Sequence, residues 1–351
     1  MKARGLASAA GAALLALGAA GAATASNAKA SVVRKITADL RRPPAIVSPP
    51  RTRLQPSCGY GKAMSTNATR ITIVPTEQTL EGGGFKIRRA FPVAGLSYFD
   101  PILLIDEMGP VDYGPGEAIG APDHPHRGFE TVTYIIAGAM QHEDSFGHRG
   151  ALRPGDVQWM TAGAGVIHSE MPAPEMLRDG GLMHGFQIWV NLPQALKMST
   201  PRYQEYDGSE LPVVTGPGTW TRVIAGELDG RRSPIETTVP TTMLHVKLDA
   251  GAALAVALPP GANAVVHTIS GGGRIADTAI GDHAAALIAD VPATLDLVAG
   301  PEGFEALVLA GMPLNEPVAR YGPFVMNTRA EIETAFRDYQ AGRFGAIART
   351  H

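Results

Sequence analysis

The amino-acid sequence predicts an all-β protein built as two tandem barrels, with one short helix near its C-terminal end. Three observations carry this reading. The chain has 351 residues, enough for two domains that each bury a core. Its 41 glycines and 28 prolines, with 45% hydrophobic and 18% charged residues, describe a globular chain of many turns and few long helices. Short apolar or alternating runs, broken by Gly or Pro at intervals of roughly ten residues, fill two successive passages.

The first passage, 71–206, holds the runs 131–136 and 184–190. The second, 212–345, repeats the style at 243–248, 264–269 and 306–310 and then changes period. Thr328 with Glu331 three residues on is a capping box, and Ile332, Ala335, Phe336 and Tyr339 share one helical face before Gly342 stops the turn. That apolar stripe is expected to dock on a barrel.

Residues 1–70 carry no such pattern. Lys2 and Arg4, a mildly apolar Ala/Gly run and Ala23-Thr24-Ala25 have the layout of a secretory signal, followed by a basic, Pro-rich stretch expected to be disordered. On this reading the protein is exported to the periplasm. The competing reading starts translation at Met64 and keeps the protein cytoplasmic. The single cysteine, Cys58, lies in this leader, which excludes an internal disulfide and a Cys-rich zinc site. Past the leader, no stretch approaches the roughly 18 consecutive apolar residues of a membrane span.

The net charge of −3 conceals a division. Residues 1–70 hold eleven Lys/Arg and one acid, Asp39, which leaves the body at −13. A body of that charge repels a phosphate backbone, so direct nucleic-acid binding by the folded part is disfavoured.

The residues that carry chemistry lie in 123–130, DHPHRGFE, and 165–172, GVIHSEMP. On an extended strand, residues two apart point to one face, so His124 and His126 can aim two imidazoles at a single point, and His168 and Glu170 can do the same. Three imidazoles and a carboxylate make an N/O ligand set with coordination positions left open. Structural zinc would favour a closed shell with Cys, and calcium or magnesium would favour oxygens alone, so iron(II) leads, with Mn, Ni, Co and Cu behind it. Glu130, four residues after His126, competes with Glu170 for the carboxylate position. His245, His267 and His283 stand isolated and are read as ordinary side chains; His142 and His148 are expected to be solvated. His184, just before an apolar strand, is read mainly as a non-ligand. Trp159 and Trp189 are read as core, and Gly82 to Gly84 as a turn.

The run from His124 to Pro172 resembles the signature of the pirin family within the cupin superfamily, as do Asp106 to Pro110 (DEMGP), Gly185 to Pro193 (GFQIWVNLP) and Gly322 to Phe344. The resemblance spans about 71–345. It implies a bicupin, two double-stranded β-helix (jelly-roll) barrels, with iron in the first barrel on His124, His126, His168 and Glu170 and a metal-free second barrel. Glu130 is then left a supporting role. The resemblance further implies a quercetin 2,3-dioxygenase-like enzyme, in which a metal takes the flavonol 3-hydroxylate and Glu170 takes or relays the proton. The alternative is a redox- or metal-sensing regulator that docks on a protein partner.

Overall fold

The structure, a computed structural model, describes residues 70–349 and, for the backbone alone, Ile46–Val47. The signal-like segment, Cys58 and Met64 lie outside the described residues. Among the described residues no helix is long and apolar enough to cross a membrane.

Strands dominate, as expected, in two successive barrels. The first barrel pairs a seven-stranded sheet with a four-stranded one, and the second is built on a nine-stranded sheet. In the first, Phe129–Ala137 lies between Val157–Thr161 and Gly181–Asn191, which in turn pairs with Ile102–Tyr113, all antiparallel. The smaller sheet runs Ala121–His126, Val166–Pro172, Met140–Asp144, Arg149–Leu152.

Two exchanges cross the division expected from sequence. Ile71–Pro75 pairs with Ala284–Ile288 and so completes the second barrel, with Ile71 and Val74 packed on two different cores. In the other direction, Phe324 bridges Arg127, and the C-terminal elements return to the first barrel. Ile46–Val47 pairs with Val318 and Ala319, so the leader contributes a short strand that its composition does not announce.

The large sheet of the first barrel is covered on both faces. Val132, Tyr134, Ile105, Phe186 and Ile188 pack with Met243, Val265, Leu307 and Leu309 of the second barrel in one continuous core. This explains why Phe129–Ala137 is buried without alternation from Phe129 to Ile135. Each fully buried large apolar side chain in this seam contributes about 1.5–3 kcal/mol, which makes the seam the main attachment between barrels.

Polar pins cross the same seam. The Tyr134 hydroxyl donates to His245 Nδ1 at 2.8 Å, and His245 Nε2–H donates to Glu305 Oε1 at 2.8 Å. Glu107 accepts from His184 Nε2 at 2.8 Å and from His267 Nε2 at 3.2 Å. His245 and His267 are therefore seam residues, whereas His283 is exposed on a turn.

The helix Arg329–Gln340 carries the expected capping box, with Thr328 Oγ1 accepting from Glu331 N and the Glu331 carboxylate accepting from Thr328 N. It buries Ile332, Ala335 and Phe336, the last edge-on to Phe324 at 4.8 Å. Asp338, on the same helix, pairs with Arg127 at 2.9 Å.

Candidate metal centre

His124 and His126 stand on the strand Ala121–His126, and His168 stands directly across from His124 on Val166–Pro172. The period-2 pleat aims all three rings at one place. One nitrogen from each lies within 4.8 Å of the others, and ring centroids are 4.3–4.9 Å apart. Among the described residues this is the one group of His, Cys, Asp or Glu with such spacing.

The protonation logic suits a cation. Burial, then repulsion from His124, holds His126 well below the usual imidazole range, and burial with the other rings does the same to His168. Both are neutral at pH 7 and keep a lone pair. His124 Nδ1 meets the Pro122 carbonyl at 2.8 Å and His126 Nδ1 the Pro323 carbonyl at 3.4 Å. A carbonyl only accepts, so Nδ1 carries the proton and Nε2 is the free ligand atom on each. His168 is fully buried with neither ring nitrogen hydrogen-bonded. An orphaned buried imidazole costs free energy unless something binds it, so these residues fit a metal ion.

Glu170 lies beyond a register shift after His168, and its carboxylate is outside the histidine group. Its Oε1 accepts from Thr133 Oγ1 at 2.8 Å, while Thr133 also meets the Gln187 amide at 2.9 Å. A hydroxyl has one proton, so when it goes to Glu170 the Gln187 contact is made by the amide NH₂. Glu130 is elsewhere. It is fully buried, accepts from Thr161 and Thr238 at 2.8 and 2.7 Å, and faces the seam. The parity that seemed to align it with His126 is broken at Arg127-Gly128: Gly128 has φ +89°, and Val325 O occupies the space a Cβ would need.

Other expectations change. His142 is buried, bonded to Glu205 at 2.7 Å and stacked near Tyr203, not solvated; its place on the inner face of Met140–Asp144 explains this. His148 is exposed and bonded to Asp144. Trp159 is core, but Trp189 is only half-buried and meets His126 edge-on at 5.2 Å.

Sequence reasoning missed several neighbours. Asp106, cross-strand from Gln187, is held by Arg89 through two bonds of 2.7 and 2.6 Å; burial nonetheless pushes its carboxyl up to about 6. Lys197 is buried and donates to Gly128 O, Asn191 Oδ1 and Val325 O, which staples the turn after His126. The alternation Thr131, Thr133, Ile135 was a signal for Thr133; for Lys197 there was none.

Comparison with known proteins agrees with this architecture. The Pirin family model matches residues 84–190, and the Pirin C-terminal cupin domain model matches 243–345. Mouse Pirin is 41% identical over 286 residues, 80% of this chain and 95% of its own length. The tomato Pirin-like protein is 41% identical over 276 residues, 76% and 89% of the two chains. The crystal structure of a quercetin 2,3-dioxygenase from Acinetobacter baumannii is 38% identical, with a TM-score of 0.75 over 79% of this chain and 98% of that one.

Proposed function

This chain belongs to the pirin family of cupins, and on that premise we propose that it is a metal-dependent dioxygenase that cleaves a flavonol such as quercetin. The observation that carries the reading is the convergence of three histidines, two of them buried and held neutral, with the unsatisfied His168 nitrogens. Its likeness to the quercetin 2,3-dioxygenase structure supports the substrate class.

The ligands in this reading are His124, His126, His168 and Glu170, and the ion is iron(II) in first place. When bound, such an ion supplies Lewis acidity toward the flavonol 3-hydroxyl and the redox chemistry that a dioxygenase needs. The chain's own residues do the rest. The Pro122 and Pro323 carbonyls orient two imidazoles by accepting from Nδ1, so Nε2 of each is the atom that would bind the ion. Thr133 holds Glu170 Oε1, which leaves Oε2 to bind or to take the substrate proton. Phe129 and Trp189 wall the site with apolar surface and limit water. The overall reaction would take up one dioxygen per flavonol, open its central ring and release carbon monoxide. The alternative, a regulator docking on a protein partner, finds no supporting feature among the described residues.

The test is anaerobic loading with iron(II), followed by oxygen-uptake and carbon monoxide measurements with quercetin. Quercetin-dependent uptake with carbon monoxide release is expected. A fully loaded protein that consumes no oxygen with quercetin overturns the proposal.

A further inference from the structure

Arg320, on the strand Val318–Tyr321, which pairs with Ile46–Val47 and Phe324–Met326 and packs on Leu103 and Phe129, reaches the wall of the first barrel's histidine cluster. Its guanidinium lies 4.5 Å over the Trp189 ring, the same ring that meets His126 at 5.2 Å and Phe129 at 4.2 Å. Two groups so close to one ring occupy opposite faces, so Phe129 backs the indole and Arg320 covers its outer side. Nη1 donates to Leu103 O at 3.1 Å. The nearby carboxylates are committed elsewhere: Arg89 bridges Asp106 at 2.6 Å and Glu81 at 2.7 Å. Arg320 makes no ion pair among the described residues, and its remaining N–H donors are not buried away from solvent. Burial, with repulsion from Arg89, lowers its pKa to about 10, so it stays charged at neutral pH.

Asp106 and Glu81 act on it only at a distance, so a half-buried guanidinium with spare donors and no direct ion pair stands beside the histidine cluster. We propose that Arg320 is the anion-recognition residue beside the histidine cluster, binding the negative oxygen of an aromatic enolate, phenolate or carboxylate whose other end approaches the three rings. The inference deepens the dioxygenase reading and rests on it for the aromatic ligand class. Arg320 comes from the C-terminal elements that return to the first barrel, so those elements complete the binding site.

The test uses metal-loaded full-length protein, with benzoate and its neutral counterpart benzamide as calorimetric probes. Arg320→Gln should weaken benzoate about tenfold or more, as loss of a charge-assisted bond does, and leave benzamide unchanged. Arg320→Lys should restore part of the benzoate affinity. Metal content and melting temperature of both variants control for folding. Benzoate binding within twofold of wild type in Arg320→Gln overturns the inference. So does an equal loss for both probes, the mark of a purely structural cap on Trp189, or no benzoate binding by the wild type. These titrations need no turnover, so a wild type that binds benzoate selectively through Arg320 but ignores quercetin would remove the dioxygenase reading alone.

Discussion

Replacing Asp338 by Ala should loosen the metal centre through Arg127, the residue that follows His126. Arg127 directly follows His126, and its side chain is 5% exposed, with Nη1 on Asp338 at 2.9 Å and Nε on Ala164 O at 2.7 Å. Its guanidinium also lies 4.6 Å over the Phe344 ring. Removing the carboxylate leaves a buried cation with one carbonyl and one ring face. Breaking a buried pair from one side costs about 3–5 kcal/mol. The Asp338 side chain is 11% exposed, so water replaces part of the loss, and about 3 kcal/mol is the expected figure. At about 2–4 °C per kcal/mol for a chain of this size, the melting temperature should fall by roughly 6–12 °C. Since the strain falls on the turn after His126, metal affinity should drop as well. Thermal melts of metal-free and metal-loaded protein measure both effects. A melting temperature within about 2 °C of wild type, with unchanged metal affinity, would refute the claim that this pair holds the ligand strand.

Glu170→Gln should alter the metal's electronic spectrum and suppress oxygen uptake, whereas Glu130→Gln should spare the spectrum and lower stability, because the buried Glu130 carboxylate accepts from the Thr161 and Thr238 hydroxyls. The reverse pattern in the two spectra would assign the carboxylate to Glu130. Acid stability should depend on Glu305. Burial opposes its ionisation, but bonds from His245 and Lys247 prevail and bring its pKa down to about 2. A carboxylate with a lowered folded pKa stabilises above its ordinary value near 4.5 and loses that contribution as pH falls toward 2. The group is partly solvated, so the contribution is about 1 kcal/mol. In metal-loaded protein, Glu305→Gln should flatten the acid limb by that amount between pH 5 and 2; an unchanged limb would contradict the pairing.

What was legible in the sequence was local. The convergence of His124, His126 and His168 was visible because a pleated strand repeats every two residues, though the register shift that sets Glu170 apart was not, and the final helix was visible because its capping box and stripe fit within twelve residues. What failed depended on distant partners or on a break in parity. His142 meets Glu205 across 63 residues, and His267 meets Glu107 across 160, so neither neighbour is signalled nearby. Glu130 shared a parity with His126 only until Gly128 turned the chain. The entry of Ile71–Pro75 into the second barrel is likewise a choice of partner, and alternation along a strand says nothing about which edge it joins.

The central claim is that His124, His126 and His168 hold one metal ion, and its most direct test is metal content after anaerobic iron(II) loading of wild type and His168→Ala. His168 is the ring with two unsatisfied nitrogens, so its truncation removes a ligand without breaking a hydrogen bond. About one ion per wild-type chain is expected, and severalfold less in the variant, with the β-rich circular dichroism preserved. Equal metal occupancy in the two proteins would contradict the claim.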